Sequence, residues 1–222
     1  MDKRLIGILA IIAAIFIGVA VFSGHKNNNS NSSGSASGAT NHIQGSGSTG
    51  VKLMEYGDYE CPVCEVYYPV VKQVATKYNS QIFSQFRNLP LVSVHPNAFA
   101  GARAAEAAGL QQKYWQMHDK LYDNQNVWAS SSNPSTYFNQ YAQELGLDLN
   151  KFKADYASDQ VNAAINADLA AFKQTGQEQG TPTFFLDGKY ISNTQLVDQS
   201  GQPSLDQFSK FIDAEIAAKQ KQ

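Results

Sequence analysis

The chain has 222 residues and a formal net charge of −2 at pH 7. That balance excludes the basic stripe a phosphate-tracking surface needs, so nucleic acid is not an expected partner. Two cysteines, Cys61 and Cys64, also exclude a small scaffold stapled by disulfides. The loop they would close is too short to restrain the unfolded chain, so the pair is expected for its chemistry.

Asp2-Lys3-Arg4 precede an unbroken apolar run from Leu5 to Phe22. At 1.5 Å per residue it reaches about 27 Å, close to the ~30 Å hydrocarbon core of a bilayer. The run ends Val19-Ala20-Val21-Phe22, with Phe22 where a signal-peptide cleavage site wants a small residue. Residues 1–22 are therefore expected to be an uncleaved, single-pass membrane anchor. Lys3 and Arg4 would stay cytoplasmic and everything after Phe22 would lie outside, at the cell membrane. Residues 23–50 are rich in Ser, Asn and Gly and are expected to form a disordered tether, with His25 and His42 solvated.

The folded domain is expected over 51–222. Val51 to Tyr56 reads as a strand, broken by Gly57-Asp58. A helical pattern follows from about Cys61 to Tyr78, in which Val63, Val66, Tyr67, Val70, Val71, Val74 and Tyr78 form one apolar stripe. Pro69 interrupts that helix. Ile82 to Phe86 reads as a second strand, so the chain opens strand–helix–strand, as α/β sheets do. From His95 to about Gly176 the strand signal disappears. Helices are expected at Ala98–Leu110, around Trp115–Tyr122, at Thr136–Leu145, at Leu149–Tyr156 and at Val161–Lys173. Sheet resumes at Thr183–Leu186, and Asp187-Gly188 is a two-residue hairpin signal leading to Tyr190-Ile191. Leu205 to Ala218 closes the chain as an amphipathic helix.

Cys61-Pro62-Val63-Cys64 follows a strand and turn and opens a helix. Unpaired N–H groups and partial positive charge at a helix start stabilise a thiolate and lower its pKa. Cys61, at the helix mouth, is expected to meet partners, and Cys64, one turn in, to face the interior. Pro62 suits the first turn, where its missing N–H has no helical partner. A zinc site would need four ligands, and His25, His42, His95 and His118 have no paired spacing, so no metal is expected. His95 and His118 read as scaffold residues.

The segment Glu55-Tyr56-Gly57-Asp58-Tyr59-Glu60-Cys61-Pro62-Val63-Cys64 resembles the active-site stretch of DsbA-like thiol–disulfide oxidoreductases. Gly180-Thr181-Pro182-Thr183-Phe184 resembles the loop in which that family carries a cis-proline opposite the Cys-x-x-Cys pair. Phe86-Arg87-Asn88-Leu89-Pro90-Leu91, His95-Pro96-Asn97-Ala98 and Trp115-Gln116-Met117-His118 are similar to segments of its membrane-tethered branch. The resemblance covers 51–222 and implies a thioredoxin fold with a helical insertion, about 95–178, between the two halves of the sheet. It implies Cys61 and Cys64 as a redox-active disulfide with no external cofactor, and Glu55 in proton transfer with Cys64. Pro62 and Val63 would tune the couple, and Thr181 and Pro182 would border the substrate groove.

The implied activity is extracytoplasmic disulfide exchange, foremost as a dithiol oxidase. The implied partners are cysteine-containing secreted or envelope proteins and a membrane redox partner that recycles the disulfide. Val63 replaces the histidine found between the cysteines of strongly oxidising relatives, and Glu60 and Glu65 flank the pair. These changes are expected to raise the pKa of Cys61 relative to such relatives and make the couple less oxidising, which leaves a reductase as the alternative. A non-redox peptide-binding or chaperone module is the other.

Overall fold

The computed structural model describes residues 38–221. The anchor expected at 1–22 and most of the expected tether lie outside them. Among the described residues no helix is long and apolar enough to cross a membrane.

The elements run β1 (His42–Gln44), β2 (Val51–Gly57), α1 (Pro62–Lys77), β3 (Ile82–Asn88), α2 (Ala98–Gly109), α3 (Tyr114–Asp123), α4 (Gln125–Trp128) and α5 (Ser135–Glu144). They continue α6 (Leu149–Tyr156), α7 (Asp159–Gln174), β4 (Thr183–Leu186), β5 (Lys189–Ile191), a 3-10 turn (Asn193–Gln195) and α8 (Leu205–Lys219). The sheet order is β1-β3-β2-β4-β5. The βαβ unit makes β2 and β3 parallel, while β4 runs antiparallel to β2. This is the thioredoxin arrangement, with α2 to α7 inserted between β3 and β4.

Alternation sets the two faces of the sheet. Val51, Leu53, Ile82, Phe184 and Leu186 pack with Tyr67 and Val74 of α1, with Tyr78 at its C-cap, and with Phe208, Ile212 and Ile216 of α8. Tyr56 and Phe185 point to the other face and meet Phe172 of α7. The Ala-rich α2 lets neighbouring helices approach closely, and the resulting core reaches from Trp128 and Phe138 to Tyr59, Cys61 and Cys64. Active-site helix and insertion thus share one apolar body.

Two expectations need correction. The stretch read as tether through residue 50 contains β1, which pairs antiparallel with β3, His42 opposite Phe86. His42 is not merely solvated: its Nε2 lies 2.8 Å from Glu106 Oε1, and its ring stacks on Tyr114 at 3.4 Å. Asp168 accepts from Thr40 N at 2.6 Å and from Thr40 Oγ1 at 2.7 Å. Ser/Asn/Gly composition hid a segment whose order comes from buried carboxylates supplied by distant helices. The α1 stripe is also shorter than its pattern, because Val63 and Val66 are about half exposed. Val63 and Val66 fall outside the buried face of α1, which carries Cys64, Tyr67, Tyr68, Val74 and Ala75.

The hairpin follows its sequence signal. Asp187 and Gly188 both take positive φ, 48° and 82°, as a primed two-residue turn requires. Asp187 Oδ1 then accepts from Lys52 N at 2.7 Å, tying the turn to the start of β2.

Candidate active site

The site is built where β2 ends and α1 begins. Asp58, buried just past the strand, holds the turn together. Its Oδ1 accepts from Glu60 N at 2.8 Å, and its Oδ2 accepts from Leu91 N at 2.9 Å and lies 2.7 Å from His95 Nδ1. Its carbonyl accepts from Cys61 N at 3.1 Å. From the insertion, Gln125 Nε2 donates to Tyr59 O at 2.9 Å and Cys61 O at 3.0 Å. The sulfur-bearing residue is therefore gripped from both sides through its backbone, leaving its side chain free for chemistry.

Cys61 is the N-cap of α1, with extended backbone (φ −71°, ψ 120°), and Pro62 occupies the first helical position. Cys64 follows one turn later and is fully buried. Both are free thiols. Across from them, the Thr181–Pro182 peptide is cis, and Cys61 Sγ lies 3.5 Å from Thr181 O. Asn193 Nδ2 donates to Pro182 O at 2.8 Å and fixes that loop from behind. The cis loop covers Cys61 more than the sequence suggests: only 4% of the residue is exposed. The exposed Val63 beside it still marks the outer end of the helix.

Environment separates the two sulfurs. Cys61 is lowered from 9.0 to about 5, first by a hydrogen bond from the Cys64 side chain, which outweighs the cost of burial. The Thr181 side chain and the backbone N–H groups of Cys64 and Val63 add to it. Thr181 Oγ1 is buried with no other partner among the described residues, which leaves its hydroxyl available to a Cys61 thiolate. Cys64 moves well above 9.0, first because it is buried and then because Cys61 and Glu55 are near.

The expected penalty from Glu60 and Glu65 is not among the principal influences on Cys61. Glu60 is turned aside to accept the Asn97 N–H. Glu55 sits on β2 opposite Phe86 on one side and Phe184 on the other. It is 6% exposed, and burial, followed by the charge of Cys61, raises it to about 8.

The fold thus gathers Cys61, Cys64, Glu55 and Thr181, with Pro62 and Val63 on the helix that carries the sulfurs. Asp58 and Gln125 were not singled out from the sequence. Asp58 carried a faint signal as part of a Gly-Asp break before the helix, and Gln125 carried none. His95 proves to be the scaffold residue expected, held against Asp58.

A thioredoxin family model matches residues 37–214. The chain belongs to that family. The solved structures it resembles include a thioredoxin-like oxidoreductase from Silicibacter pomeroyi, at 24% identity and a TM-score of 0.62 over 79% of this chain and 91% of that one. Alpha-DsbA1 from Wolbachia pipientis matches at 18% and 0.65, over 81% and 92%. Oxidised BdbD from Bacillus subtilis matches at 18% and 0.61, over 79% and 92%. At these identities the likeness is one of fold, and the fold is the DsbA-like form of the thioredoxin fold. A Na(+)/H(+) antiporter NhaA from Salinispora arenicola is 37% identical over 148 residues, 67% of this chain but 22% of that protein. The chain therefore spans about a fifth of the length of that curated relative, and the likeness is confined to one segment of it.

Proposed function

We propose that this protein is an extracytoplasmic thiol–disulfide oxidoreductase acting foremost as a dithiol oxidase. The observation that carries the reading is the opposed acidity of two sulfurs one helical turn apart, the acidic one facing the Thr181–Pro182 loop. A substrate thiolate attacks Cys61 of the oxidised pair, forming a mixed disulfide and releasing Cys64. A second substrate thiolate then displaces Cys61, which departs readily because its thiolate is stabilised. The same stabilisation favours the reduced protein and so makes the couple a stronger oxidant.

Cys64 must take up a proton as it leaves, and Glu55, protonated below about pH 8 and near enough to help raise Cys64, is its proposed source, through a bridging water. The redox-active group is the Cys61–Cys64 disulfide itself. The apolar run 5–22 supports tethering to the cell membrane, catalytic domain outside. There the substrates would be cysteine-containing secreted or envelope proteins, with a membrane redox partner restoring the disulfide.

The test is equilibration of the full chain with glutathione, combined with oxidation of a reduced, unfolded protein. The couple should be far more oxidising than cytosolic reductants, and Cys61→Ser or Cys64→Ser should abolish disulfide formation. A potential in the range of cytosolic reductants would turn the assignment to a reductase. Survival of activity in both variants would sink the enzymatic reading and leave a peptide-binding module.

A further inference from the structure

The groups that lower Cys61 come from two places. Cys64 and Val63 ride on α1, which Cys61 itself caps, whereas Thr181 belongs to a separate segment 120 residues later. Its reach to the sulfur therefore depends on how its loop is held against α1. Thr181 Oγ1 is buried and bonds nothing else among the described residues, so its side chain is placed by the backbone. The β4 ladder begins only at Thr183, opposite Tyr56, so the Thr181–Pro182 peptide precedes it. Thr183 Oγ1 donates to Gly180 O at 2.7 Å, a bond that closes the loop on itself.

Asn193 supplies the tie to α1. Pro182 O can only accept, so the Asn193 amide turns Nδ2 to it, at 2.8 Å. Oδ1 of the same amide is left buried with no partner among the described residues. The Asn193 carbonyl in turn accepts from the Tyr67 hydroxyl at 3.1 Å. Tyr67 lies on α1 one turn beyond Cys64, its ring against Phe184 of β4 and Phe208 of α8. Burial pushes its phenol up, so it keeps the proton it donates. A reciprocal cap between Ser192 and Gln195 closes the 3-10 turn that carries Asn193. The contacts form a ring: along α1 from Cys61 to Tyr67, across to Asn193, on to Pro182, and from Thr181 O back to the Cys61 sulfur at 3.5 Å.

We propose that Asn193 is a positioning residue for the exchange reaction, holding the Thr181 loop at its distance from the helix that carries both sulfurs. The inference rests on the exchange reading, in which Cys61 is first the attacked sulfur and then the leaving group. Without the Asn193 amide the loop is free to draw back from α1. The Thr181 donor is then lost to the departing Cys61 thiolate, while the donors on α1 stay where they are.

The test reads Cys61 by thiolate absorbance in the reduced full chain, beside urea unfolding of each variant. Asn193→Ala should raise the Cys61 midpoint from about 5 by about half to one unit, roughly three- to tenfold in its acid dissociation constant. Combined with Thr181→Val it should move the midpoint no further, because both changes remove the same donor. The control is Ile216→Ala, at the end of α8 that Lys219 ties to Gly50, the opposite end of β2 from the site. It should lower stability and leave the midpoint in place. An unmoved midpoint in Asn193→Ala, a double variant whose shifts add, or an equal shift in Ile216→Ala would each overturn the proposal. If Asn193→Ala does not fold, Tyr67→Phe, which keeps the ring and removes only the hydroxyl, decides by the same criteria. The titration needs no thiol substrate, so a protein that exchanges no disulfides would remove the exchange reading and leave these outcomes as they are.

Discussion

Cys61 and Cys64 carry the same thiol, and the donors around one and the burial of the other drive them apart. Thr181→Val keeps the shape but removes the hydroxyl, so the Cys61 titration should rise from about 5 by roughly half to one unit. Thiolate absorbance measures it, and an unmoved midpoint would take the hydroxyl out of the account. Glu55 and Cys61 also oppose each other in stability. Cys61 of the dithiol form is depressed when folded, so its contribution is present above the unfolded value and lost as pH falls through about 5. Glu55 is raised, so the folded state gives up stability as pH climbs from 4.5 to about 8. Over their shared window the two slopes largely cancel. Glu55→Gln should uncover a rise of about 1.4 kcal/mol per pH unit relative to the wild type across that window. Urea unfolding of the reduced proteins at a series of pH values reads it; parallel curves would contradict the placement of Glu55.

The start of α1 shows how an element is positioned by residues outside its own periodic pattern. The stripe predicted burial for Val63 and Val66, but the buried face of α1 takes in Cys64 and Tyr68 instead, and the side chains that hold the preceding turn are Asp58 and Gln125. Gln125→Ala removes two donors to the Tyr59 and Cys61 carbonyls and leaves both buried acceptors short. A loss of about 2 kcal/mol is expected in urea unfolding. Asp58→Ala should cost more, about 3 kcal/mol, since it frees two backbone N–H groups and the His95 ring at once. A variant within 0.5 kcal/mol of wild type, about the usual scatter for a surface change, would show that the turn is held elsewhere. The helices of the insertion were legible because each carries its own 3.6-residue pattern, and the Asp187-Gly188 hairpin because positive φ restricts residue choice.

Across the whole folded body, the described N-terminal segment is the feature composition most misled. Thr40, His42, Asn88, Glu106 and Asp168 form one buried polar network that ties β1 and β3 to α2 and α7. Asn88 donates twice to Asp168 Oδ2, through N at 2.9 Å and through Nδ2 at 3.0 Å. A protein starting at residue 51 should therefore be less stable than one starting at residue 38, by about 3–5 kcal/mol, because it strips partners from buried carboxylates. Equal denaturation midpoints for the two would return residues 38–50 to the status of tether. Asp168→Ala in the full chain should raise hydrogen exchange in β1 while leaving β4 and β5 protected.

The sequence by itself determined the α/β class, the position and extent of the helical insertion, and the Cys-Pro-Val-Cys helix start. Each of these is written in local periodicity, turn chemistry or a four-residue spacing. Only the tertiary structure decided how far the two sulfurs differ, where the folded body begins, and which residues hold the site. Those depend on side chains brought together from distant positions: Thr181 against Cys61, Gln125 beneath it, and Asp168 against Thr40. No local pattern encodes neighbours 64, 120 or 128 residues away.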